Sequence, residues 1–281
     1  MHFKISILSA LAIALPISAF ADTLLVNTGD VNGQMAMASR PDSSGKIEIE
    51  AADDFVLGSS ALVTSGTFTG LVPAGFSVTG VTVEIYRVFP ADSNNPPSGN
   101  VLTRANSPSD VAFASRISGT DLNFTTTVLN PNFTAANSVL NGINKSPNQT
   151  TGGEGPVSGQ EVQFSFTLTS PFSLAADHYF FVPQVQLSSG DFYWLSSVRP
   201  IVAPGTPFAP DLQAWIRNEN LEPDWSRVGT DIVGGAVPPT FNAAFSLSGA
   251  ETPEPSSLAL IAGGFFGLAA LARHCRRDYA R

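Results

Sequence analysis

The sequence predicts an all-β fold, an antiparallel sandwich of two packed sheets, and three observations carry that expectation. Apolar and polar residues alternate with a period of two in several segments, turn-forming residues separate those segments, and helix signals are scarce. A strand with period two buries one face and wets the other, so such strands pair their apolar faces across a shared core. The clearest case is Glu161 to Thr169, where Val162, Phe164, Phe166 and Leu168 alternate with Gln163, Ser165 and Thr167.

The elements follow in chain order. Met1 to Ala21 (1–21) reads as an export signal: Lys4 is the basic start, Ile5 to Ile17 the apolar stretch, and Ala19-Phe20-Ala21 a small-x-small site for signal peptidase, giving a mature start near Asp22. The β domain is expected over 22–250. Its strand candidates are Lys46–Glu50, Phe55–Leu57, Leu62–Phe68, Val81–Ile85, Leu122–Leu129, Glu161–Thr169, Tyr179–Leu187, Phe192–Val198 and Phe241–Ser248. Turn chemistry marks Asp92 to Gly99, and Ser188-Ser189-Gly190-Asp191 reads as a hairpin joining two strands. Longer loops run over 141–160 and 200–210. The best short helix candidate is Thr134 to Asn141, capped by Thr134 and stopped by Gly142. No internal repeat and no regular Thr-x-Thr ladder is legible along the chain.

Composition narrows the function classes. The segment from Asp22 to Thr252 is long enough for one large core. Setting aside Lys4, Arg273, Arg276, Arg277 and Arg281 from the 14 basic residues, and Glu254 and Asp278 from the 23 acidic ones, leaves that segment near −12. Nucleic acid is therefore not an expected partner, since no basic surface is present to displace phosphate counterions. The single cysteine, Cys275, lies beyond the β domain, so no disulfide is available to an exported domain.

The C-terminal segment (251–281) carries the most specific signal. Pro253-Glu254-Pro255 is followed by an apolar run from Leu258 to Ala272 and then by Arg273, Arg276 and Arg277. Fifteen residues of helix span about 22 Å, short of the ~30 Å of a bilayer core, so the run is a marginal permanent anchor but suits a transient one. The arginines read as a cytoplasmic retention cluster, which places the domain outside the inner membrane. This arrangement resembles the PEP-CTERM sorting signal. The resemblance implies recognition and cleavage near the motif by an exosortase, an integral membrane protease of Gram-negative bacteria that make exopolysaccharide. It also implies a cell-surface or matrix destination.

A second resemblance covers the body: Ala51-Ala52-Asp53-Asp54-Phe55, Val83-Glu84-Ile85-Tyr86 and Phe192-Tyr193-Trp194-Leu195 resemble the jelly-roll domains of secreted bacterial proteins. It implies a jelly-roll-like sandwich and no particular activity.

Chemistry-bearing residues are few. His178 is the only histidine of the mature domain, with neither a Gly-x-Ser-x-Gly turn nor a cysteine nucleophile beside it, so it reads as a strand-edge histidine. Glu48, Glu50, Asp53 and Asp54 form the densest carboxylate group. Of these, Asp53 and Asp54 are the candidate ligands for Ca2+, the one metal considered, and no other cofactor is expected. Trp215 and Trp225, in a polar segment, are the candidate glycan contacts if their rings are exposed, the alternative being a loop that caps the end of the sandwich. The resulting expectation is a non-enzymatic exported module associated with exopolysaccharide. The alternatives are a carbohydrate-binding adhesin, or a glycan hydrolase with two carboxylates in a sandwich groove, one of raised pKa.

Overall fold

A computed structural model describes residues 22–43, 45–94, 98–143, 149–199, 213–252 and residue 264. The described residues contain fourteen strands: β1 (Thr23–Asn27), β2 (Val31–Ala38), β3 (Ile49–Val56), β4 (Ala61–Val72), β5 (Val78–Arg87), β6 (Ala114–Ile117), β7 (Leu122–Ala135), β8 (Asn137–Val139), β9 (Val157–Leu174), β10 (His178–Leu187), β11 (Tyr193–Ser197), β12 (Trp215–Asn218), β13 (Ser226–Arg227) and β14 (Phe245–Glu251). They form two sheets. The eight-stranded sheet runs β1-β14-β4-β11-β2-β8, with β9 on the other edge of β4 and β7 beyond it. The six-stranded sheet runs β13-β12-β3-β10-β5-β6. Neighbours are antiparallel except β2 and β8, which run parallel.

The inner faces meet in one aromatic core, as the alternation predicts. Val162, Phe164 and Phe166 of β9 are buried, while Gln163, Ser165 and Thr167 face outward. Phe68 stacks on Phe164 at 4.9 Å. Phe181, from the six-stranded sheet, reaches across to Phe166 at 5.9 Å, Trp194 at 5.9 Å and Phe245 at 5.2 Å. Two glycines of β4 make room for these rings. A Cβ on Gly70 would sit 2.0 Å from the Phe192 ring, and one on Gly66 2.7 Å from the Phe166 ring. The rings occupy the space that a side chain would need.

Two local expectations are corrected. The segment Thr134 to Asn141 is not a helix: Thr134 and Ala135 end β7, paired with Ser158 and Val157, and Asn137–Val139 pairs with Met35–Met37 as β8. A helix this short is not self-supporting, and two waiting strand edges satisfy its backbone better. The turn Ser188 to Asp191 does not close a hairpin, because β10 belongs to the six-stranded sheet and β11 to the eight-stranded one. It carries the chain across the sandwich, with Asp191 held by Arg40 and Lys46 at 2.8 Å each. Of the three segments of the jelly-roll resemblance, Ala51–Phe55 lies in β3 and Val83–Tyr86 in β5 of the six-stranded sheet, and Phe192–Leu195 lies in β11 with the residue before it, in the eight-stranded sheet.

Candidate functional site

The two outer faces of the sandwich differ in chemistry. On the eight-stranded sheet, directly paired residues share a face, so the register places outward side chains in rows. Ser248, Ser65, Thr167 and Asn123 form one row across β14, β4, β9 and β7. Ser246, Thr67, Ser165 and Thr125 form the next. Thr69, Gln163 and Thr127 form a third. Thr67 and Ser246 pair through their hydroxyls at 2.7 Å, whereas Asn123, Thr125, Thr127 and Thr167 are exposed. Thr67 and Thr69 on β4 and Thr125 and Thr127 on β7 are each a Thr-x-Thr pair along the chain, but the lattice they belong to is mixed in residue type and built across strands.

At one end of these rows lies a groove of about 340 Å3, floored by Thr69, Gln163 and Glu161 and walled by Asn27, Asp30 and Leu129. Burial, and then the charge of Asp30, raise the Glu161 carboxyl above the ordinary carboxylate range. Asp30 enters from the turn between β1 and β2, and Glu161 projects outward because it sits two residues before Gln163 on a regular strand. Neither residue stood out in the sequence. The usable signal was the outward parity of Glu161 in the alternating segment Glu161 to Thr169.

The six-stranded sheet is roofed instead. The chain between β5 and β6 and the turn before β13 cover its outer face, burying Trp215 and Trp225 at 2% and 0% exposure against Tyr86, Phe180 and Val182. The candidate glycan contact through exposed rings is thereby corrected in favour of the covering-loop alternative. Trp225 donates from Nε1 to Ser109 O at 3.0 Å, and the Arg217 guanidinium lies 4.4 Å over its ring. The polar character of the segment reflects buried ion pairs rather than a wet surface. Arg217 pairs with Glu50 through Nε and bonds the Tyr86 hydroxyl at 3.0 Å. Arg104 bridges Asp110 and Asp224 at 2.8 Å each. Burial and then the Glu50 charge push Glu84 up to about 8, and burial first of all also raises Glu48 and Glu222.

Asp53 and Asp54 point to opposite faces of β3, as consecutive strand residues must. Asp53 Oδ2 accepts the Ala243 N–H at 2.9 Å inside the core. Asp54 is 3% exposed, with His178 Nε2 at 2.7 Å and Arg199 Nη2 at 3.0 Å. The two carboxylates therefore do not converge on one point. Among the described residues no group of three or more His, Cys, Asp or Glu side chains is arranged to hold a metal.

The export signal with Ala19 and Ala21, and the tail with Pro253, Glu254, Pro255, Arg273, Arg276 and Arg277, lie outside the described residues. Among those that are described, no helix is long and apolar enough to cross a membrane. The last of the continuous run, Thr252, is pinned to the domain by its N–H and hydroxyl, which donate to Ser60 O at 2.7 and 3.1 Å. Residues 251–277 match the PEP-CTERM protein-sorting motif. The match begins on the final residue of β14, so the signal adjoins the folded domain with no intervening linker. The chain thus carries the sorting signal of an exported protein processed by an exosortase, a membrane protease. No curated protein and no solved structure matches the chain.

Proposed function

We propose that the chain is a non-enzymatic module that is exported, held briefly at the inner membrane by its tail, released to the cell surface or matrix, and retained there by exopolysaccharide. The observation that carries this reading is the PEP-CTERM match at 251–277, abutting a sandwich whose one outer face is left polar and exposed. Stability outside the cell, without disulfides, falls to the aromatic core. Fractionation of an exopolysaccharide-producing host tests it. The protein should sediment with the polymer and be freed when the polymer is digested. Recovery in the soluble medium irrespective of the polymer would contradict the reading.

A second reading, a glycan hydrolase, is favoured by the groove. Glu161, with its raised pKa, would act as general acid and Asp30 as the partner carboxylate. Incubation of the polymer with the wild type and with Glu161→Gln decides it. New reducing ends that disappear in the variant would establish hydrolysis. Their absence in both would overturn this second reading.

A further inference from the structure

Eleven outward side chains in three rows form a regular, uncharged grid on part of the outer face of the eight-stranded sheet, beside the apolar cluster of Ala36, Leu71, Ala135 and Leu195. Neighbours across strands stand about 4.8 Å apart and successive rows about 7 Å apart. Each Ser and Thr hydroxyl donates one hydrogen bond and accepts up to two, and each amide does both. The grid carries none of the charge of a chain whose net charge is −9. Its stiff β-branched threonines lose little side-chain freedom on binding, and the rings of Phe164 and Phe166 beneath hold the strands in place.

We propose that this face binds a neutral, extended polysaccharide chain, whose ring hydroxyls exchange hydrogen bonds with the rows while its C–H faces rest on the threonine methyls. The inference rests on the reading of the chain as an exopolysaccharide-associated module and names its ligand class. Charge selects the ligand. A polyanion would approach an acidic molecule and meet Asp30 and Glu161 at the end of the rows. A polycation would find no carboxylate among the eleven. A protein partner would need an apolar centre to bury, which these rows lack.

Affinity electrophoresis of the full chain in detergent tests the proposal, with a soluble unbranched neutral β-glucan as probe and a polyuronate as the charged comparison. The combined substitutions Thr125→Val, Thr127→Val and Thr167→Val remove three exposed hydroxyls while keeping strand-favouring, β-branched side chains. Thr126→Val makes the same change on the opposite face of β7 and serves as the control. The wild type and Thr126→Val should be retarded by the glucan and not by the polyuronate, with the triple variant bound at least tenfold more weakly. Equal retardation of the triple variant, an equal loss in Thr126→Val, or preference for the polyuronate would overturn the proposal. So would faceting of ice crystals by a wild type that ignores the glucan, which would assign the grid to ordered water. A wild type that co-fractionates with exopolysaccharide but ignores the neutral glucan sinks this inference alone. One that never meets the polymer sinks the reading beneath it.

Discussion

The two outer faces of one sandwich show two ways to finish a β-sheet. The six-stranded sheet hides its face under a roof of loops, and the charges that come with the roof are buried in pairs, as with Arg217 on Glu50 and Arg104 between Asp110 and Asp224. The eight-stranded sheet leaves Thr125, Thr127 and Thr167 in water and carries no roof over them. The roofed face holds most of the ionisable chemistry and little accessible surface, while the bare face has access and almost no charge. The proposed role at a cell surface or in a matrix requires access, which the bare face provides and the roofed face does not.

Substitution should separate the faces by magnitude. The largest effect is expected from Arg217→Met, which leaves Glu50 buried without its cation. It should cost about 3–5 kcal/mol in denaturant unfolding, and a loss under about 1 kcal/mol would mean that the roof is solvated.

A smaller, pH-dependent effect belongs to Glu84. Its pKa rises from 4.5 to about 8 in the folded chain, by burial and then by the Glu50 charge, so the folded state holds a proton that the unfolded chain releases. The stability from this group is full below 4.5 and is lost as pH climbs towards 8. Glu84→Gln should flatten the fall in unfolding midpoint over that window, and an unchanged slope would contradict the burial of Glu84 beside Glu50.

The smallest effect is expected on the bare face. Thr125→Val should shift stability by no more than about 0.5 kcal/mol, since its hydroxyl faces solvent, and a larger loss would reveal a structural role for the rows.

The same contrast explains what the sequence disclosed. Strand alternation depends on local residues, so β9 and the inward aromatics were legible, as were the sorting signal and the two-sheet class. The roof was legible only as an alternative, because Trp215 and Trp225 sit among Arg217, Glu222 and Asp224, and polarity within a few residues reads as exposure when the partner charges, Glu50 for Arg217 and Arg104 for Asp224, lie far away in the chain. The carboxylates Asp53 and Asp54 look adjacent in the chain, yet the strand sends them to opposite faces. The hydroxyl rows and the meeting of Asp30 with Glu161 depend on strand order, and no local pattern encodes that β4 pairs with both β14 and β9.

The proposed release of the sandwich requires removal of the tail beside Thr252. Intact-mass and C-terminal peptide analysis of the protein recovered from envelope and medium of an exopolysaccharide-producing host tests that directly. Peptides ending near Glu254 or Pro255, with everything from Leu258 onward missing, are the predicted result. A tail running intact to Arg281 in every fraction would contradict release and leave the molecule a membrane-tethered protein.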